Sequence, residues 1–309
     1  MNQKDTSSAC DQQLGVCGLD PTQKHEWKRP KPIELYTFID PLCAECWGFE
    51  PTLKKLQVEY GAYFRIRTLV AGRLLAWNAC KQSATGLAAK KQEIASIWEK
   101  TASRSGMSCD GDVWMELEWN SPYLTSIAVK AAELQGPHAG ARFLRKLREY
   151  LFLEKQNITE KEVLLKCAAE TGLDYDEFEK DLSSSAATKA LQCDIKTTNE
   201  MGVEVVPTFV FFNNNVEDEG IKVTGHYEYH VYVQILEEML GFTPTASAPI
   251  TIEQFLERYR FVATAEVATV FDLSEEEAER RLKALVLQQK AEAVPVKHGL
   301  FWRMIKEPK

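Results

Sequence analysis

The chain has 309 residues, 45% of them hydrophobic, and a formal net charge of -8. That length predicts two domains with room for a real core, and the composition fits a soluble globular protein. The acidic balance argues against broad binding to nucleic acid or anionic membranes, no segment approaches the roughly 20 apolar residues of a membrane span, and the N-terminus lacks the apolar region of a signal peptide. The expected compartment is the cytoplasm, where thiols are mostly reduced. Residues 1–30 are polar and irregular and read as a flexible tail carrying Cys10, Cys17 and His25. Thiolates and imidazole suit zinc, but the spacing is loose and a closed tetrahedral site needs a fourth ligand from elsewhere. The plainer reading is reduced, solvated cysteines.

Residues 33–39 are rich in β-branched and aromatic side chains and predict a strand. Asp40-Pro41 turns the chain. Cys43 and Cys46 then open a helix running through Leu53, Leu56 and Tyr60. Eight cysteines in this length give about 0.2 pairs three apart by chance, so the strand–helix context has to carry the reading. In that context a thiol pair has the redox geometry of a thioredoxin-like site. The helix N-terminus favours a thiolate at Cys43. Residues 65–70 alternate like a strand, so 31–72 predicts a parallel β-α-β unit with a right-handed crossover.

Residues 73–202 read as almost entirely helical. Helices are expected at 87–104, 122–135, 139–154, 163–169, 174–182 and 186–201, with a capping box at 159–162 ahead of the fourth. The aromatic-rich stretch 114–123 either lines a surface groove or, more commonly, is core. Val206-Pro207-Thr208 then enters a strand at 207–212 and resembles the cis-proline loop of thioredoxin-fold proteins. A turn at 213–220 and a strand at 221–224 complete a hairpin, and 229–240 is a helix. His226 precedes that helix, so His226 and His230 are not expected to act as a helical metal pair. Residues 242–250 form a linker by composition. Helices at 252–260, 264–270 and 274–288 and strands at 293–296 and 300–305 make a winged-helix-like module. Its second long helix opens with Glu275 to Glu277, which phosphate would repel, so packing or protein docking is favoured over DNA binding.

The expected architecture is α/β: a thioredoxin-like core from 31–72 and 203–241, a helical insertion at 73–202 resembling the DsbA type, and a small winged-helix-like domain at 251–309 after the linker. Three readings fit the thiol pair. In thiol-disulfide exchange Cys43 attacks, Cys46 resolves and Pro207 shapes the substrate groove. Otherwise the scaffold is retained as a surface in which the cysteines pack or sense oxidation without turnover. A thiol pair can also bind zinc. Glu45 lies between the cysteines and works against a thiolate, and the usual proline of a thioredoxin pair is absent.

The Cys-containing tail, Asp40-Pro41-Leu42-Cys43-Ala44-Glu45-Cys46-Trp47, the stretch from Ser121 to Gly136, Val206-Pro207-Thr208 and the C-terminal module together carry a resemblance. The chain is similar, over nearly all its length, to the SpxH (YjbH) family of adapters for the ClpXP protease in Firmicutes. The resemblance implies binding of the transcription regulator Spx and its delivery to ClpXP, without enzymatic turnover. It aligns Cys43, Cys46 and Pro207 with the family's thioredoxin-like motif. Some relatives carry a His-rich tail; here His25 remains with Cys10 and Cys17. No cofactor is required on this reading, zinc at Cys10, Cys17 and His25 being a candidate, and neither membrane nor nucleic acid is an expected partner. The competing class is a DsbA/FrnE-type thiol-disulfide oxidoreductase.

Overall fold

The computed structural model describes residues 10–11, 16–17, 33–72, 84–213, 215 and 217–305. Two short strands, Cys10–Asp11 (β1) and Val16–Cys17 (β2), pair antiparallel with Cys10 opposite Cys17. The rest of the expected tail, His25 included, lies outside the described residues. Ile33–Ile39 (β3) follows, then Ala44–Gly48 (α1), Glu50–Tyr60 (α2) and Phe64–Val70 (β4). β3 and β4 run parallel, as the β-α-β pattern requires. One helix was expected between them, and two are present. Pro51 has no N–H to return to Trp47, so the helix divides at Phe49, whose backbone stays helical.

The insertion is helical throughout its described part, except for the loops between helices. It comprises Ala84–Ser105 (α3), Val113–Glu116 (α4), Tyr123–Leu134 (α5), Pro137–Phe152 (α6), Lys161–Glu170 (α7), Tyr175–Leu182 (α8) and Ser185–Glu200 (α9). Residues 73–83 of the expected block lie outside the described residues. The capping box expected at 159–162 does not form. The N-cap is Glu160, and Thr159 spends its hydroxyl on Asn157 Oδ1 at 2.6 Å in a local turn. The aromatic stretch goes inward: Trp114 and Trp119 are buried and stacked 4.2 Å apart. The insertion is fastened to the sheet by Asp194 of α9, which accepts from the Val70 N–H at 2.9 Å and from Lys130 at 2.8 Å.

The chain returns as Thr208–Phe212 (β5) and Ile221–Thr224 (β6), followed by Tyr229–Leu240 (α10). The sheet order is β4-β3-β5-β6, with β5 antiparallel to both neighbours. β3 is central and flanked on both sides, which accounts for its nearly continuous burial. On one face Leu35, Phe209, Phe211 and Leu236 form a core with Phe49 and Leu56.

Ile252–Tyr259 (α11), Phe261–Ala263 (β7), Thr264–Val270 (α12), Glu275–Leu287 (α13), Ala291–Pro295 (β8) and Leu300–Met304 (β9) make the C-terminal module. β7 was not expected from the sequence. It pairs with β9 and turns the expected two-stranded wing into a sheet of order β7-β9-β8. Three residues with a single hydrogen-bonded neighbour give no alternation to detect. The segment before the module is docked rather than free: Ser247 N–H donates to Glu59 O at 2.7 Å, and Thr245 N–H to the Tyr63 hydroxyl at 3.1 Å. The module itself packs on α2, and its Phe301, Ala263 and Ala265 belong to the same core cluster as Trp47 and the insertion.

Candidate functional site

Cys43 is the N-cap of α1, and its sulfur accepts from the Cys46 N–H at 3.3 Å. Sulfur thus takes the place of a capping oxygen at the positive end of the helix. The Cys43 thiol also faces Val206 O at 3.7 Å, immediately before the cis Val206–Pro207 peptide bond. The structure therefore brings together the three residues singled out in the sequence, Cys43, Cys46 and Pro207, the Cys43 contact to Val206 spanning 163 positions of the chain. Cys43 is half-buried and Cys46 buried, and both are free thiols. Burial, together with the adjacent Cys43 sulfur, pushes the Cys46 thiol well up, against a smaller pull from Arg148. An accessible first thiol and an enclosed second one form the asymmetric pair that thiol-disulfide exchange uses.

Glu45 does not act as its place between the cysteines suggests. Its carboxylate turns away to Thr101 and Arg104 of α3 and to His226, whose Nε2 lies 3.2 Å from Oε2 and 2.9 Å from Glu45 O. Burial raises the Glu45 carboxyl, but the Thr101 hydroxyl and Arg104 outweigh it and hold the group below its usual range. Burial, aided by Arg104, lowers His226 despite Glu45. Glu45 therefore stands as the partner of Arg104 and His226 and not as a lone carboxylate between the cysteines. The links of Thr101, Arg104 and His226 to Glu45 escaped the sequence reading because nothing in their local spacing shows them; only the docking of α3 and the β6–α10 turn onto α1 does.

The next residue, Trp47, is fully buried and joins three parts of the molecule. It stacks on Phe152 of α6 at 5.6 Å and on Phe301 of β9 at 6.2 Å, with Arg145 over its ring at 4.3 Å and its Nε1 donating to Ser108 O at 3.0 Å. One turn on lies a buried ionic network. Glu50 receives Lys54 at 3.2 Å and Arg148 at 2.9 Å. Glu266 of α12 receives Arg145 through both terminal nitrogens, at 2.9 and 3.0 Å, and also Lys54. Glu149 receives Arg145 at 3.0 Å. Three cations thus face three carboxylates. Burial raises Glu50, yet Lys54, Arg145 and Arg148 together bring it down to about 2. Nothing in the sequence singled these residues out, because each helix alone carries an ordinary mixture of charges.

Among the described residues, Cys43 and Cys46 belong to no group of three donors at metal-like spacing. Among the described residues the one acidic cluster with metal-like spacing is Glu99, Asp110 and Asp112, and Lys297 of the β8–β9 turn lies within 2.9, 2.8 and 2.7 Å of them. The ammonium takes the place a cation would have and clamps the wing to the insertion. For the tail, the backbone pairing sets Cys10 opposite Cys17, while His25 lies outside the described residues.

Comparison with known proteins extends these observations. The family model described as Thioredoxin matches residues 36–234. A protein of Halalkalibacterium halodurans named ClpXP adapter protein SpxH is 58% identical over 99% of this chain and 100% of its own. Proteins of the same name from Shouchella clausii and Bacillus subtilis are 56% and 50% identical over 97% and 89% of this chain and 97% and 90% of theirs. Among solved structures, a Nitrosomonas europaea chain assigned as a protein disulfide isomerase superposes with a TM-score of 0.58 at 17% identity, over 69% of this chain and 98% of that one. A DsbA-type oxidoreductase from Streptomyces coelicolor gives 0.50 at 17%, over 71% and 100%. These two establish the thioredoxin-like, DsbA-type fold and nothing beyond it.

Proposed function

The chain belongs to the SpxH family of ClpXP adapter proteins, and from that premise we propose that it binds the transcription regulator Spx in the cytoplasm and presents it to ClpXP for degradation. The observation that carries this reading is end-to-end similarity to the named adapters, through the C-terminal module as well as the thioredoxin-like part. The oxidoreductase-like folds are matched almost whole by about two-thirds of the chain, which leaves the remaining third outside the shared fold. An adapter works by holding two partners together, so that the second encounter takes place at high effective concentration. It makes and breaks no covalent bond, and the rigid joint at Trp47 suits a scaffold that holds a fixed shape. No described helix is long and apolar enough to cross a membrane, so nothing in the described part diverts the chain from a soluble partner.

The thiol pair supports a second element of the proposal: oxidation tunes delivery. Cys43 sits half-exposed at a helix start while Cys46 is enclosed behind it. The alternative, thiol-disulfide turnover on unrelated clients, uses the same geometry and predicts Cys43-dependent insulin reduction. Zinc at Cys10, Cys17 and His25 is a separate proposal, resting on donor chemistry alone, and delivery does not depend on it. The deciding experiment is reconstituted degradation of Spx by ClpXP with and without this protein. Faster degradation in its presence is expected, and equal rates overturn the proposal. Cys43→Ala with Cys46→Ala should keep basal delivery and blunt the response to a thiol oxidant.

A further inference from the structure

β6 is the edge of the four-stranded sheet, and its register shows which of its backbone groups are in use. The Gly225 N–H donates to Pro207 O at 2.8 Å, and the ladder pairs Thr208 with Thr224 and Val210 with Lys222. In an antiparallel pair, hydrogen-bonded and non-hydrogen-bonded residue pairs alternate. Gly225, Val223 and Ile221 therefore point their N–H and C=O groups at β5. Lys222 and Thr224 point theirs outward, where no described strand follows.

The surroundings of this edge are not neutral. At the Ile221 end stand the exposed acids Glu217, Asp218 and Glu219. The one cation on the strand, Lys222, is turned over onto Met201 O at 3.2 Å and Gly202 O at 3.3 Å. At the other end the Thr224 hydroxyl meets Thr208 Oγ1, which donates to Val205 O. Val205 is 57% exposed and Tyr227 is 55% exposed, beside the loop whose Val206 O faces Cys43. Edge strands of soluble proteins are commonly blunted by charge, proline or a covering element. Among the described residues this one presents open backbone, an acidic end and an apolar end.

We propose that β6 is a docking edge for an extended, basic segment of a partner protein. The segment adds as a further strand, bonds to the outward groups of Lys222 and Thr224, sets lysine or arginine against Glu217, Asp218 and Glu219, and lays an apolar side chain on Val205 and Tyr227. Charge complementarity selects this occupant over a second copy of the chain, because two molecules of net charge -8 repel. The inference deepens the adapter reading by giving the partner segment a chemistry. Its test uses neither Spx nor ClpXP, so failure here is distinct from failure of delivery.

The probe is a fluorescein-labelled peptide of alternating lysine and valine, with the glutamate–valine peptide as control. The lysine peptide should bind in a salt-sensitive way, slow backbone amide exchange at Lys222 and Thr224, and discriminate against the control. Thr224→Pro removes an outward N–H and leaves the inner ladder to β5 intact; it should weaken binding at least tenfold. Glu217→Lys with Glu219→Lys changes only exposed side chains and should reverse the preference between the peptides. Absence of binding overturns the proposal. So does binding without protection at Lys222 and Thr224, or self-association through this edge in sedimentation.

Discussion

Glu266→Gln tests the ionic joint between the C-terminal module and the rest of the molecule. Glu266 is fully buried and accepts from both terminal nitrogens of Arg145, from Lys54 and from the Ala263 N–H at 2.7 Å. Glutamine keeps the shape and one acceptor oxygen but removes the charge, leaving Lys54, Arg145 and Arg148 to share Glu50 and Glu149. A charge pair 3 Å apart at an effective dielectric near 20 is worth roughly 5 kcal/mol before the remaining partners compensate. Removing one side of a buried pair typically costs about 3–5 kcal/mol, against about 5–15 kcal/mol for an ordinary domain's whole stability. Urea unfolding at pH 7, followed by tryptophan fluorescence, measures the loss. Trp47 reports on the joint directly because it stacks on Phe301, and the module should release in an earlier transition. Adding Lys54→Met restores the charge balance and should recover about 1–2 kcal/mol. A loss below about 1 kcal/mol in one cooperative transition would refute the reasoning, since it would mean that water already solvates Arg145.

Acid should weaken the same joint. Glu50 is held at about 2 against an ordinary 4.5, so its contribution of roughly 3 kcal/mol is fully present above pH 4.5 and is lost as pH falls toward 2, a slope that urea midpoints between pH 6 and 3 will show. Iodoacetamide at neutral pH followed by site-resolved mass spectrometry should modify half-buried Cys43 and exposed Cys193, and reach Cys46, Cys109 and Cys167 only after unfolding; early labelling of Cys46 contradicts the enclosed second thiol. Lys297→Ala leaves Glu99, Asp110 and Asp112 mutually repelling, and should lower stability by about 1 kcal/mol at low salt, with partial recovery on adding calcium in a thermal melt.

Much of the scaffold was legible because it rests on short-range signals. The β-branched run of β3, the helical periodicity of the insertion, and the Ser274 cap three residues before Glu277 each announce one element. The thiol pair and Val206-Pro207 were legible as motifs, and the fold sets them face to face. Missed features depend on tertiary contact. Glu45 looked like an obstacle to the thiols until Arg104 and Thr101 arrived from α3. Thr159 matched a capping pattern, but Asn157 competed for its hydroxyl. β7 was too short to show a period. The network around Glu266 was invisible because its members come from three helices, each of which alone carries an ordinary mixture of charges.

That network also bears on how such a sequence can drift. Lys54, Arg145, Arg148, Glu50, Glu149 and Glu266 sum to zero charge in a largely buried place, so exchanging one of them for a neutral residue strands an opposite charge. Such a set should change together: a relative that has lost the acid of α12 is expected to have shed a basic residue from α2 or α6 alongside it, and paired changes at these positions would be the footprint of the joint through descent.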